Sequence, residues 1–355
     1  MKLTVLDYMP DRLLERPASA LHQDLDGPTL IHIPGYHEQP LFVSVLQHGN
    51  EDTGWEAVRR LLKSHYQFDH LPRSMMLYIG NVEAARYGVR HLDEQPDFNR
   101  CWPGGDSGDS EYHQLFREVT DIARLSKPFA SVDVHNNTGQ NPHYGAVNKM
   151  DSRFFRLASM FSNTVIYFTM PRGVQSQAFS DFCPAVTLEC GQAGNVHGAD
   201  HSMGYLETCL NLEELKDEPL EKGAFDLFHM VATVRIDKEM SLGFGQTGAD
   251  ISLIKELDVY NFRELPENTV FGKLNGVRRP PLVATDIEGK VTTNHYFRFD
   301  GGEIRTTRPL MPSMLTSDIR VIHQDCLCYL MERLDPTIYH RPEIEPLPEP
   351  SAFYE

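Results

Sequence analysis

The sequence predicts an α/β fold with a smaller, β-rich part towards the C-terminal end. Over residues 1 to about 235, short apolar runs of strand length alternate with segments whose apolar residues recur at helical spacing, which is the pattern of a sheet flanked by helices. From about residue 236, the apolar runs are shorter and are separated by Gly and Pro turns, as in β-rich domains. We therefore expect one domain over residues 1–235, a β-rich domain over 236–340 and an extended, Pro-rich tail over 341–355.

The individual elements follow from the same patterns along the chain. Continuous apolar runs predict buried strands, and apolar residues three and four positions apart predict the helices between them. The predicted strands cover residues 41–47, 74–79, 131–135, 184–189, 268–271 and 294–299. The predicted helices cover residues 54–63, 111–125 and 205–230, the last with an interruption at Pro219.

Composition narrows the class of protein. The 355 residues can bury a sizeable core, and no run approaches the roughly 18 apolar residues of a membrane span. The first ten residues lack the apolar stretch of a signal peptide, and the six cysteines show no C-x-x-C pair, so we expect a cytoplasmic protein with reduced thiols. The net charge of −17 argues against nucleic-acid and membrane partners, whereas a homo-oligomer is compatible with it.

Three strand-like runs end in ionisable residues of the types that bind metals and transfer protons. They are His48 and Glu51 after the first run, His135 in the second and Glu189 in the third. Ligands of open α/β sheets bind outside the C-terminal ends of the strands, so these side chains can converge there. Imidazole nitrogens and carboxylate oxygens are zinc ligands, and a catalytic zinc takes three protein ligands. The alternative is that both histidines are ordinary loop residues, since the chain has 16 histidines.

Four motifs resemble one protein family. They are His48-Gly-Asn-Glu51, Asp97-Phe-Asn-Arg100-Cys-Trp-Pro, Asp133-Val-His135-Asn and Thr187-Leu-Glu189-Cys-Gly. In identity, order and spacing they resemble the succinylglutamate desuccinylase/aspartoacylase branch of the zinc carboxypeptidase superfamily. The resemblance covers roughly residues 40–195. It implies a zinc-carboxypeptidase-like mixed sheet flanked by helices.

The resemblance also implies roles for the residues at the strand ends. His48, Glu51 and His135 would bind one Zn²⁺ per chain, and the ion would lower the pKa of a bound water. Glu189 would be the general base on that water and afterwards the acid that protonates the leaving nitrogen. Asp133 lies two residues before His135, on the same side of the strand. It would orient a ligand imidazole, with a buried structural aspartate as the alternative.

The substrate-binding residues are implied by the same family. Asn99 and Arg100 match an asparagine-arginine pair that grips the carboxylate of the substrate's amino-acid half, for which the planar guanidinium is suited. Arg90 would polarise the scissile carbonyl, with Arg86 as its rival because two extra residues separate Arg90 from the pair. Arg172 is the candidate for the far end of an acidic acyl group.

These observations lead to a functional prediction. We expect zinc-dependent hydrolysis of the amide bond of a small N-acyl amino acid, a non-peptide C–N bond. A metallocarboxypeptidase or peptide amidase is the alternative enzyme, which an uncovered cleft would favour, whereas a C-terminal β domain that narrows the cleft would favour small substrates. A non-catalytic binding protein on the same scaffold is the alternative from another class. Asn137 stands where relatives tend to have Thr, so the acyl group is left open. Cys190 has no clear histidine partner for a role as nucleophile.

Overall fold

The computed structural model describes residues 1–66, 70–105, 108–245, 248–276 and 280–335. Within these ranges the strands are β1 Thr4–Leu6, β2 Thr29–Ile33, β3 Gly35–Val45, β4 Leu71–Ile79, β5 Ala130–Asn137, β6 Tyr144–Val147, β7 Thr164–Tyr167, β8 Ala185–Gln192, β9 Asp226–Ile236, β10 Leu242–Phe244, β11 Ile251–Leu253, β12 Val270–Leu274, β13 Leu282–Asp286, β14 Phe297–Asp300, β15 Glu303–Thr306, β16 Met311–Ser313 and β17 Cys328–Leu334. The α-helices are α1 Thr53–Tyr66, α2 Val82–Tyr87, α3 Glu111–Ser126, α4 Ser152–Ser159, α5 Gln175–Phe179, α6 Val196–Asn211, α7 Thr293–Tyr296 and α8 Ile319–Gln324. Short 3-10 helices cover Asp11–Glu15, Ala18–Gln23, Phe98–Arg100 and Leu257–Tyr260.

A large mixed sheet forms the centre of the protein. Its strand order is β1-β2-β4-β3-β5-β8-β6-β7-β9-β17-β16, and β13 pairs with β9. Strands β4, β3, β5 and β8 run parallel to one another, while β6 runs antiparallel to β8. Helices flank this sheet, and the predicted α/β fold with a mixed sheet is confirmed.

A smaller sheet lies in the C-terminal part of the chain. It has five strands in the order β10-β11-β12-β15-β14, which confirms the expected β-rich character of this part. The intervening and following strands β13, β16 and β17 join the large sheet instead. The division into domains at residues 235 and 340 stays a prediction, and the tail over 341–355 lies outside the described residues.

Two predicted elements were partly wrong. One helix was wrong in its second half, and one strand was wrong in its first half. The helix predicted over residues 205–230 ends at Asn211 of α6, and the segment from Asp226 is strand β9. This strand lies inside the large sheet, and most of its side chains are buried, so burial on both faces outweighs any helical spacing of its apolar residues. The strand predicted over 294–299 begins with the helical turn α7, and β14 starts only at Phe297.

The central parallel strands are deeply buried. Leu41, Phe42, Val43 and Val45 of β3 are all inaccessible to solvent, as expected for a parallel strand covered by helices on both faces. Helix α1 follows β3 and packs against α6 and β5. In the described part of the chain, no helix combines the length and the apolar character that crossing a membrane requires.

Candidate metal centre and active site

Strands β3, β5 and β8 bring the predicted site residues to one edge of the sheet. The three strands are parallel neighbours, so their C-terminal ends meet. His135 near the end of β5 lies directly opposite Glu189 of β8 in the register. His48 and Glu51 lie in the loop between β3 and α1, and both are buried.

The loop that carries His48 and Glu51 is packed against a neighbouring helix at Gly49. A Cβ atom at Gly49 would lie 2.2 Å from the backbone carbonyl carbon of Ala84 in α2, so only glycine fits here without a shift of the backbone. The N–H of Gly49 also donates to the carbonyl oxygen of Arg90 at 3.0 Å. The loop is therefore fixed both against α2 and against the segment that contains Arg90.

Two imidazoles meet one carboxylate in the centre of the site. Nδ1 of His48 lies 2.8 Å from Oε1 of Glu51, and Nδ1 of His135 lies 2.8 Å from Oε2 of the same carboxylate. One donor atom from each residue lies within 4.8 Å of the other two. Two imidazole nitrogens and a carboxylate oxygen are a ligand set that zinc accepts, and these three residues could hold a metal ion.

The other ring nitrogen of each histidine is held by a second carboxylate. Nε2 of His48 lies 3.0 Å from Oδ1 of Asp97, and Nε2 of His135 lies 2.8 Å from Oδ2 of Asp133. Metal-binding histidines characteristically have such a partner, which fixes the ring and leaves the opposite nitrogen for the ion. The site therefore fits a divalent cation, and Nδ1 of each ring would be the nitrogen left free to face it.

The charges around the two rings favour a cation. Burial by itself would raise the pKa of Glu51, but His48 and His135 lower it well below its usual range. Burial by itself would lower the pKa of His135, but Asp133 and Glu51 raise it well above its usual range. The imidazoles thus lie among anionic oxygens in a buried site, where a positive charge is strongly stabilised.

Glu189 is the buried carboxyl group beside this cluster. Its Oε2 accepts a hydrogen bond of 2.6 Å from Nδ2 of Asn137. Burial raises the pKa of Glu189 to about 8, and the Glu51 carboxylate adds to this rise while His135 opposes it. A carboxyl group whose pKa is near neutral pH can both accept and donate a proton during one reaction.

The neighbouring Cys190 is not suited to be a nucleophile. Its side chain is inaccessible to solvent, and burial raises the pKa of its thiol. The hydroxyl of Ser202 donates to its Sγ at 3.0 Å. A reactive cysteine needs an accessible thiolate, so this environment is that of a structural residue.

Two arginines and two aspartates form a charged network at one side of the pocket. Nη2 of Arg90 lies 2.7 Å from Oδ2 of Asp97 and 3.6 Å from Oδ2 of Asp325. Nη2 of Arg100 donates to Oδ1 of Asp325 at 3.0 Å. Asp325 therefore bridges the guanidinium groups of both arginines, and each arginine already has a carboxylate partner.

Asn99 connects this network to the metal-ligand candidates. Its Nδ2 lies 3.3 Å from Nε2 of His135, and its carbonyl oxygen accepts a hydrogen bond of 2.8 Å from Nη1 of Arg100. The side-chain oxygen of Asn99 accepts a hydrogen bond from the N–H of Gln175. These contacts place Asn99 and Arg100 in the same pocket as the histidines, as expected, but their role in binding a substrate stays a prediction.

Two other arginines of the sequence-based prediction lie elsewhere. Arg86, the rival of Arg90, is half-exposed and pairs with Glu83 on the surface of α2. Arg172 is exposed, although its neighbours Pro171 and Val174 line the pocket. The structure thus brings Arg90 into the pocket and leaves Arg172 outside it. A substrate-binding role for Arg172 stays a prediction without support from this geometry.

The sequence analysis missed several residues of the pocket, including two polar ones from the C-terminal part of the chain. Asp325 and Tyr329 line the pocket together with His48, Glu51 and Glu189, but they lie in the last described part of the chain. No motif includes them. The sequence shows only that an acidic residue, Asp325, stands shortly before a strand-like run. Asp97 was part of a quoted motif, and its contact with His48 could have been expected from that position.

The fold and the site together define a class of protein. It is an α/β protein with a buried His-Glu-His group that could hold a metal ion, beside a buried glutamate at the C-terminal edge of parallel strands. Residues 39–212 match the model of the succinylglutamate desuccinylase/aspartoacylase catalytic domain. Over these residues the chain belongs to this family.

Several solved structures have the same fold. A succinylglutamate desuccinylase from Chromobacterium violaceum is 18% identical over 84% of this chain and 85% of its own, with a TM-score of 0.52. One from Vibrio parahaemolyticus is 15% identical over 84% and 82%, with a TM-score of 0.55. Murine aminoacylase 3 is 14% identical over 85% and 97%, with a TM-score of 0.52. At such identities the similarity establishes the fold alone. No curated protein sequence matches the chain.

Proposed function

We propose that this protein is a zinc-dependent deacylase that hydrolyses the amide bond of a small N-acyl amino acid, releasing a carboxylate and a free amine. The observation that supports it best is the arrangement of His48, Glu51 and His135. Both Nδ1 atoms face one carboxylate while both Nε2 atoms are held by Asp97 and Asp133. A protein that only bound a ligand would not need this ligand set beside a buried general base.

In the proposed mechanism, the metal ion and the protein side chains have different roles. A zinc ion would polarise the scissile carbonyl and make water a nucleophile at neutral pH. Glu189 accepts the proton of the attacking water and then delivers it to the leaving nitrogen. Asn137 holds the Glu189 carboxyl group in place through a hydrogen bond of 2.6 Å.

Arg90 is proposed to stabilise the negative charge that develops on the carbonyl oxygen. Its side chain is 9% exposed, and its Nη1 lies 3.8 Å from Oε1 of Glu51, beside the candidate metal ligands. Fixed donors in a site that excludes water are effective at stabilising such an oxyanion. The Asp97 carboxylate orients the guanidinium through Nε at 3.1 Å and Nη2 at 2.7 Å.

Arg100 is proposed to bind the α-carboxylate of the amino-acid half. It is the more accessible of the two arginines, with 27% of its side chain exposed. Its Nη2 donates to Asp325, so a substrate carboxylate would share the guanidinium with that residue. This arrangement predicts modest rather than tight binding of the α-carboxylate.

The pocket favours small substrates over peptides. Met314, Asp325 and Tyr329, from the C-terminal part of the chain, line the pocket together with the candidate metal ligands. A metallocarboxypeptidase or peptide amidase would need a cleft that is open to a long chain. The presence of C-terminal residues in the lining of the pocket therefore supports a deacylase of small molecules.

The test is a hydrolysis screen of N-acyl amino acids with zinc-loaded and with chelated protein. Glu189→Gln should retain zinc and its fold but lose roughly 10²–10⁴-fold in turnover, since the amide cannot accept a proton. Glu118→Gln makes the same chemical change on the exposed surface of α3 and should behave like the wild type. Hydrolysis that survives chelation, or full turnover by Glu189→Gln, would overturn the proposal.

A further inference from the structure

One face of the large sheet changes from polar to apolar with distance from the candidate metal centre. Directly paired residues on adjacent strands point to the same face. Glu189 of β8 is paired on one side with His135 and on the other with Tyr144 of β6. Ala146 of β6 is paired with Ile166 of β7. The catalytic face thus continues across β6 and β7 as an apolar surface.

The same surface extends to the strands of the C-terminal part. Met230 of β9 is paired with Met331 of β17, and both line the pocket together with Tyr144, Ala146 and Ile166. We call these five residues the apolar floor. All five are buried, with between 2% and 7% of their surface exposed. Successive side chains of a strand point to opposite faces of the sheet, so residues two positions apart, such as Tyr144 and Ala146, lie on this same face.

The walls above the floor are apolar as well. Phe168, Met170, Val174 and Met314 line the pocket around it. Phe168 and Met314 pack against the hydrophobic cluster to which Tyr144, Ala146, Ile166 and Met331 belong. Methionine side chains are flexible and polarisable and adapt to apolar groups of various shapes. The floor and walls therefore form a subsite for a hydrocarbon or aromatic group.

Among the described lining residues, no arginine or lysine without a carboxylate partner lies at this subsite. The arginines among them are Arg90 and Arg100, which lie at the metal side and pair with Asp97 and Asp325. Arg172 is exposed and does not line the pocket. A carboxylate placed on the floor would lose its hydration without gaining a partner, which is strongly unfavourable.

We propose that one of the two groups flanking the scissile amide is apolar and uncharged and binds on this floor. The inference rests on the proposed function and narrows its substrate class to N-acyl amino acids with an apolar acyl group or an apolar side chain. Substrates with an acidic group at this position, such as a succinyl group or an aspartate side chain, are disfavoured. Arg100 still binds the α-carboxylate outside the floor.

Two series of amides test this with zinc-loaded protein. In the first, N-acetyl-, N-butyryl-, N-hexanoyl- and N-succinyl-alanine vary the acyl group. In the second, N-acetyl-alanine, -norvaline, -norleucine and -aspartate vary the side chain. In one series kcat/KM should rise by about fourfold per methylene, and its acidic member should be at least about tenfold poorer than the apolar member of similar length. If neither series shows this rise, or if the acidic members are the best, the inference is wrong.

A matched pair of variants places the effect in the pocket. Met170→Lys puts a cation at the wall, where Met170 is only partly buried, and should improve the acidic member by about 10- to 200-fold relative to the apolar one. Thr169→Lys adds the same charge at a neighbouring position that does not line the pocket, and should leave that ratio unchanged. An equal effect of both lysines would mean that a general charge effect, and not the apolar wall, sets the preference.

Calorimetric binding of hexanoate, hexylamine and succinate to the zinc-loaded protein separates this inference from the proposed function. Tighter binding of hexanoate or hexylamine than of succinate, by about tenfold or more, supports the apolar subsite even if no amide is hydrolysed, and the proposed function would then fail alone. Hydrolysis of amides together with tighter binding of succinate would overturn the subsite and leave the deacylase activity standing.

Discussion

Replacing Asp133 by asparagine should weaken metal binding strongly without removing a metal ligand. The carboxylate of Asp133 contacts Nε2 of His135 at 2.8 Å and is inaccessible to solvent. Asparagine keeps the size of the side chain but removes the negative charge. The imidazole of His135 then becomes a poorer electron donor towards an ion at its Nδ1.

The size of the effect follows from this environment. Loss of a carboxylate that holds a metal-binding histidine typically costs about 10- to 100-fold in metal affinity. We expect a loss of about 100-fold, which is about 2.7 kcal/mol, because solvent cannot replace the charge at a site that is 0% exposed. In addition, Asp133 forms an ion pair only with His135 among the described residues. Its negative charge is therefore not balanced by a second cation.

Competition with a chromophoric zinc chelator measures this affinity directly. Asp181→Asn, which makes the same change at a side chain that is 70% exposed, serves as the control and should bind zinc like the wild type. Circular dichroism establishes that both variants are folded. Wild-type zinc affinity in folded Asp133→Asn would refute the reasoning, because the ion would then not depend on His135 as oriented by Asp133.

Three further predictions concern the pocket, the loop and the ion. Arg100→Lys should cut kcat/KM for an N-acyl amino acid by about 10- to 200-fold, because lysine cannot form the bidentate contact with a carboxylate. For the α-amide of the same substrate, the variant should lower kcat/KM far less. Equal losses of kcat/KM for the acid and the amide would contradict the role of Arg100. Gly49→Ala should lower the free energy of unfolding in urea by about 1–3 kcal/mol or more, because the added methyl group would overlap with α2. Gly204→Ala in α6, where an added Cβ would meet nothing within 4 Å beyond its chain neighbours and the nearby backbone of its own helix, should raise that free energy by up to about 1 kcal/mol. An unchanged stability of Gly49→Ala would mean that the loop is not tightly packed. Chelation should lower the midpoint of thermal unfolding, since an ion at about 1,000 times its Kd stabilises the folded state by about 4 kcal/mol, and calorimetry with and without zinc checks this.

The strand ends of the site could be predicted because burial leaves a strong mark on the sequence. Parallel strands inside a sheet are buried on both faces, so β3, β5 and β8 appear as short strand-like runs rich in Val, Leu and Ala that stop at the functional edge. His48, Glu51, His135 and Glu189 stand out because each follows or ends such a run. The structure brings these four side chains together, although their catalytic roles stay proposals.

Asp325 could not be predicted because its environment is made by distant parts of the chain. It lies 225 residues from its partner Arg100. The local sequence Gln324-Asp-Cys326 holds no motif, and the contact arises only when β17 pairs with β9. The wrongly predicted second half of the helix over residues 205–230 has the same origin, since the position of β9 in the sheet decides its conformation.

The late synthesis of β17 also has a consequence for folding during translation. β9 pairs with β7 along one edge and with β17 along the other, but β17 is synthesised about 90 residues after β9 ends. At roughly 5–20 residues per second, the ribosome needs some 5–20 s to produce that stretch. During this interval the open edge of β9 is free to pair with other nascent chains, as uncovered edge strands tend to do. The strand that contributes Tyr329 and Met331 to the pocket therefore also closes this edge of β9 against pairing with other chains.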